Sequence, residues 1–129
     1  MACAIDPQHT GHDRLRFGLM SAGQRMWDAR EQPDGFAEAR DGLAEFCRAE
    51  LLPHLDRDAR WLLRAQRCPE GRLLAEAMRA ETRTMTAAVY ELTTTTGACE
   101  AMALTRVLHT FLAAHDHHEK LLRTTAATA

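Results

Sequence analysis

The chain has 129 residues, of which 46% are apolar and 26% charged, and its formal net charge is −2. That is enough for one domain with its own core and too little for two, and it offers no basic excess for neutralising phosphates, which argues against nucleic-acid binding. The apolar set argues against a sheet: 23 Ala and 16 Leu stand against one Ile and two Val, a bias toward helix formers and away from strand formers.

The first predicted helix spans roughly 10–31, with His12, Leu15, Leu19, Ala22 and Met26 on one face. Pro33-Asp34-Gly35 is read as the break that closes it. The second spans roughly 36–67 and carries Leu43, Cys47, Leu51, His54, Asp58, Trp61 and Ala65 on its stripe. Pro53 lies inside it, removing a backbone donor and clashing with the preceding turn, so a local kink is expected one residue before His54. Cys68-Pro69-Glu70-Gly71 is read as the second break. The third helix, roughly 72–92, places Leu74, Met78, Glu81 or Thr82, Met85, Val89 and Leu92 inward. After Thr93-Thr94-Thr95-Thr96-Gly97, the fourth runs over roughly 98–123, with Leu104, Leu108, Phe111, His115, His118 and Leu122 inward. Steps that alternate between three and four residues define the seam of a helix bundle, and short connections make sequential helices antiparallel neighbours. The expected fold is all-α, an up-down-up-down antiparallel four-helix bundle forming one domain over residues 1–129.

The informative positions are those where the inward stripes are polar. His12, His54, Asp58, Glu81 or Thr82, and His115 fall on core-facing positions, with Glu119 beside them. Burying one such group without a partner costs several kcal/mol, so polar seam positions on every helix require a common cause. His54-Leu-Asp-Arg-Asp58 and His115-Asp-His-His-Glu119 each set an imidazole and a carboxylate one turn apart on one face. That spacing lets both side chains bind one metal, or lets the carboxylate reach a second. Taken singly, each residue is as well read as a satisfied core or boundary group; Glu119, for instance, is one turn from Arg123. Taken together, the set favours a metal layer.

Other chemistry finds little support. No GxGxxG, Walker or GxSxG motif occurs, nor the Glu-x-x-His of ferritin-like di-iron proteins. The four cysteines, at 3, 47, 68 and 99, have no metal-finger spacing. Cys47 reads as core packing, and Cys68, before Pro69, as the thiol most open to reaction. The amino terminus lacks a basic start followed by an apolar stretch, and no apolar run spans a bilayer. The expectation is a cytoplasmic protein with reduced thiols and no membrane partner.

These residues resemble the hemerythrin-like, or HHE cation-binding, family. Its members are four-helix bundles with a His on helix one, His-x-x-x-Glu on helix two, a His on helix three and His-x-x-x-Glu on helix four. The likeness runs from His12 to about Leu122 and is carried by Glu50-Leu-Leu-Pro-His54 with Asp58 and Trp61-Leu62-Leu63, by Met78 to Met85, and by His115 to Glu119 with Leu121-Leu122. The resemblance implies a non-haem iron centre of two irons or one. His12 and His54 would ligate one iron, His115 the other, and Asp58 and Glu119 would bridge. It also implies binding or sensing of O2, peroxide or related species, with at most weak peroxide chemistry. Two departures stand out: Asp58 occupies a position where Glu is usual, and the helix-three His is absent, Thr82 standing in its register with Glu81 adjacent. Glu81, Thr82 or His118 could take its place. Two further readings stay open, a mononuclear zinc or manganese site and a bundle that has lost its metal and serves as an interaction module. A homodimer is also compatible with the sequence.

Overall fold

The computed structural model describes residues 7–64 and 68–128. It is all-α, as expected: α1 (Pro7–Asp28), α2 (Pro33–Phe46), a π-helical turn (Cys47–Leu51), α3 (Leu52–Arg64), α4 (Pro69–Leu92) and α5 (Ala98–Thr128). Because α2, the π-turn and α3 follow one another without a break, the elements make four rods of a helix bundle. α1 meets the second rod through His12 with His54 and Gly18 with Phe46, and meets α5 through His12 with Asp116 and Gly23 with Thr105. Residue numbers rise on one partner as they fall on the other, so α1 runs antiparallel to both. No described helix is long and apolar enough to cross a membrane.

The breaks work differently from the sequence reading. Pro33 does not close the first helix; it opens the second from its first turn, where its missing N–H has no intrahelical partner to lose. Asp34 adds a carboxylate at that positive helix end. Pro69 opens α4 in the same way, with Cys68 as the N-cap and its Sγ accepting from the Gly71 N–H at 3.3 Å. The threonine run terminates α4 chemically, since the backbone N–H groups and the hydroxyls of Thr93, Thr94 and Thr95 both donate to the carbonyls of Tyr90 and Glu91 in the last turn. Arg40 reaches across to donate to the Thr95 carbonyl at 2.7 Å, pinning this turn to α2.

The kink expected at Pro53 is a π-turn. A proline cannot donate to the carbonyl four residues back, and the backbone answers by widening one turn: the Leu52 N–H bonds the Cys47 carbonyl, five residues back. The extra residue matches a stripe stepping by four three times in succession, Leu43, Cys47, Leu51 and Leu55, all buried.

The core forms two apolar clusters. The larger includes Leu15, Leu19, Met26, Leu43, Leu51, Leu55, Met85, Val89, Leu108 and Leu112; the smaller consists of Leu62, Ala75, Met78 and Leu122. His12 falls just beyond the larger cluster's contribution from α1, and Asp58, Glu81, His115 and Glu119 fall, in sequence, between their rods' contributions to the two clusters. The buried line of α5 is Ala101, Thr105, Leu108, Leu112, His115, Glu119 and Leu122. Thr105, Leu112 and Glu119 thus replace Leu104, Phe111 and His118 of the sequence reading; both lines alternate steps of three and four, so spacing alone does not choose between them. Met20, read as packing, is 57% exposed.

Gly18 and Gly42 test the packing. A Cβ at Gly18 would overlap the Phe46 ring, whereas one at Gly42 meets nothing within 4 Å. Gly42→Ala is expected to stabilise the fold by about 0.5–1 kcal/mol through helix propensity alone. Gly18→Ala should show no such gain, since overpacking of about 1–3 kcal/mol opposes it. Chemical denaturation of the two variants checks both signs.

Candidate metal centre

Seam positions from three helices converge on one buried group. His12 from α1, His54 and Asp58 from α3, and Glu119 from α5 each offer a ligand atom, and these atoms lie within 4.8 Å of one another. All four residues are buried. His12 Nε2 and His54 Nε2 face each other at 2.6 Å; His12 Nε2 lies 3.0 Å from Glu119 Oε2, and His54 Nε2 lies 3.3 Å from Asp58 Oδ2.

Proton bookkeeping shows what such a group lacks. Ionised carboxylates only accept, and a neutral imidazole offers one N–H and one lone pair. His12 spends its N–H outward, donating from Nδ1 to Asp116 Oδ1 at 2.6 Å. Its Nε2 therefore points a lone pair into the group. Asp58 Oδ1 and Glu119 Oε2 are buried with no hydrogen-bond partner. Lone pairs outnumber protons, and a cation satisfies all of them at once. Two imidazole nitrogens and two carboxylates are a donor set that suits first-row metals. The residues present fit a metal ion.

Asp58 also joins this group to a second half. Its Oδ2 accepts from His115 Nε2 at 3.0 Å. Behind His115, on the ring edge away from Asp58, Glu81 Oε1 lies 3.5 Å from Nδ1, and Glu81 Oε2 lies 2.8 Å from His118 Nδ1. The structure thus settles where the three alternatives for the missing histidine stand. Glu81 and His118 sit together on the outer side of His115, while the Thr82 hydroxyl donates to the Met78 carbonyl at 3.0 Å and is spent within its own helix. Of the six site residues expected from sequence, four form the compact group, His115 touches it through Asp58, and Glu81 reaches it only through His115. His109, read as peripheral, is half-buried along a groove with Met20 and Trp27, apart from the group.

Asp116 is the functional residue that sequence reasoning passed over. It is buried, holds His12 by the outer nitrogen, and is itself held by Lys120 at 3.1 Å and Arg16 at 3.4 Å. A carboxylate on the outer nitrogen of a ligating histidine fixes the tautomer and raises the basicity of the inner nitrogen. The signal was present in the spacing: Asp116 lies three residues before Glu119, on a neighbouring strip of the same helix face. Glu119 is anchored likewise, Arg123 Nη2 donating to its Oε1 at 2.8 Å, so the ion pair expected at this spacing coexists with an inward-facing oxygen.

Electrostatics follow from these contacts. Burial alone would raise the Asp58 carboxyl, but hydrogen bonds from His115 and His54 and the charge of both rings outweigh it and hold the group below the ordinary carboxylate range. Asp116 is lowered too, burial being overcome by hydrogen bonds and charge from Lys120 and His12. Burial pushes the Cys47 thiol up to about 12, only slightly opposed by Arg48, which makes it a packing group rather than a nucleophile.

Compared with protein-family models, curated proteins and solved structures, the chain matches none.

A carboxyl whose folded value lies below its unfolded one stabilises the fold at pH above the unfolded value, about 4. That contribution is lost as pH falls through the folded value. The denaturation midpoint of metal-free protein is therefore expected to drop as pH is lowered from about 4, and Asp116→Asn should flatten that slope. An unchanged slope in the variant would remove Asp116 from the account.

Proposed function

We propose that the chain is a metal-binding four-helix protein of hemerythrin-like character, with non-haem iron as its metal and a small ligand such as O2 or peroxide as its partner. The observation that carries this reading is the buried group of His12, His54, Asp58 and Glu119, with partnerless oxygens on both carboxylates. No apolar packing argument accounts for four such groups facing one another in a core.

His12, His54, Asp58 and Glu119 would hold one ion, and His115 with the shared Asp58 would offer two donors toward a second. An iron ion there supplies a Lewis-acidic, redox-active centre open to a small ligand. The protein's own contribution is positional. Asp116 keeps the His12 lone pair inward, Arg123 keeps one Glu119 oxygen outward and the other inward, and the surrounding leucines and methionines exclude bulk water. Binding or sensing of the small ligand suits this arrangement better than turnover, because no described side chain in the group is free of both metal and structural duties. The compact four-donor group favours a mononuclear zinc or manganese site as the second reading, since two nitrogens and two oxygens do not by themselves select iron.

Elemental analysis of protein expressed in iron-supplemented medium tests the proposal. At least one metal per chain is expected, with an absorption band between the near-ultraviolet and the visible in air if the metal is iron. His54→Ala should lose the metal and His109→Ala should keep it, while His115→Ala distinguishes one ion, retained, from two, reduced to one. A well-folded wild type without metal overturns the reading in favour of an interaction module. Separately, Asp116→Asn is expected to weaken metal affinity about 10–100-fold, measured by competition with a chelator.

A further inference from the structure

The three imidazoles of the centre are not equally provided for. His12 donates from its outer nitrogen to Asp116, and the outer nitrogen of His115, sealed from solvent, faces Glu81 Oε1 at 3.5 Å. His54 turns Nε2 toward His12 and Asp58, and no described protein group partners its Nδ1. His54 is only 5% exposed, and its Nδ1 is absent from the partnerless atoms that are sealed from solvent. That nitrogen is therefore not sealed from solvent, and His54 lines a cleft.

The cleft has a volume of about 180 Å3 and is bounded by Arg14, Leu15, Phe46, Glu50, His54 and Arg57. It is smaller than the 300 Å3 or so at which drug-sized ligands begin to fit, but ample for a small ion. Its wall includes the widened turn that precedes Pro53. Arg14 and Arg57 are exposed and neither forms an ion pair with a described residue. With Glu50 on the rim, the charged lining sums to one net positive charge.

We propose that this cleft binds a small tetrahedral oxyanion, which accepts from His54 Nδ1–H and is flanked by the guanidinium groups of Arg14 and Arg57. Once Nε2 gives its lone pair to a metal, Nδ1 must carry the proton and becomes an obligatory donor. An oxyanion there does for His54 what Asp116 does for His12. Guanidinium forks match oxyanion geometry, and charge-assisted hydrogen bonds are the strong ones. The anion and the metal are then linked, each raising the affinity of the other by the same factor. The His54 donor and this coupling rest on the metal-binding reading above; the flanking pair of arginines does not.

Calorimetric titration of inorganic sulfate, a weak metal ligand, into the full chain tests the inference, with the protein metal-free and loaded with redox-inert zinc. Sulfate should bind the zinc-loaded protein more tightly than the metal-free one, and zinc affinity should rise with sulfate by the same factor. The Arg14→Met/Arg57→Met variant, altered only at exposed positions, should bind sulfate at least about tenfold more weakly. Glu50→Gln should bind it as well as wild type or better. Sulfate binding that is undetectable, or equal in the arginine variant, overturns the inference. So does a zinc affinity that falls in Glu50→Gln and ignores sulfate, since Glu50 would then be the acceptor for His54. Protein that takes up zinc but not sulfate removes the anion site and leaves the metal centre; protein that binds sulfate through both arginines but takes up no zinc does the reverse.

Discussion

A surplus of buried lone pairs organises this molecule. Two imidazoles and two carboxylates meet within the bundle with too few protons among them, and the remaining polar structure of the interior responds to that deficit. Asp116 draws the His12 proton outward, Arg123 takes one Glu119 oxygen, and Glu81 stands behind His115. The first two contacts turn a nitrogen and an oxygen lone pair toward the same small volume. An apolar core of similar size would fold with less desolvation penalty, so the layer comes at the expense of stability, and its donor set is one that could hold a metal ion.

The helices supply this layer from both sides of an otherwise conventional core. Leu15, Leu55, Met85 and Leu112 lie on its larger flank, and Leu62, Met78 and Leu122 on the other. Low-dielectric walls strengthen every interaction inside and make any partnerless charge expensive. The same walls keep a bound ion away from bulk water. Stability and binding are coupled by this arrangement, because an ion that binds only the folded chain stabilises it by mass action.

Much of this was legible in the amino-acid order, and the reasons are physical. Helical periodicity is a property of the individual residue series, so the four rods and the inward placement of His12, His54, Asp58 and His115 could be read from it, while Glu119 was placed only beside the seam. The helix starts were misplaced because proline stops one helix and opens another with equal ease, and only the geometry shows that Pro33 and Pro69 do the latter. Glu81 sat on the correct face, but which nitrogen of His115 it meets depends on ring orientation, which spacing does not encode. Asp116 lay inside a motif already singled out, and its role depends on α1 lying alongside. The cleft at His54 joins residues of α1 to residues near Pro53, a juxtaposition that belongs to tertiary structure alone.

The π-turn has a consequence for how this chain can change over time. In an ordinary helix, losing or gaining a residue rotates everything downstream by about 100°, which is why such lesions are purged from helices and collect in loops. Here the segment Cys47–Leu51 already carries one residue more than α-helical winding needs. Removal of that residue would leave a regular helix, good in itself, with His54 and Asp58 turned off the seam. The angular address of two ligands is thus written in the length of a stretch that contains neither of them. Among descendants of this sequence, single-residue length changes between Phe46 and Pro53 would divide chains that retain the centre from chains that keep only the bundle.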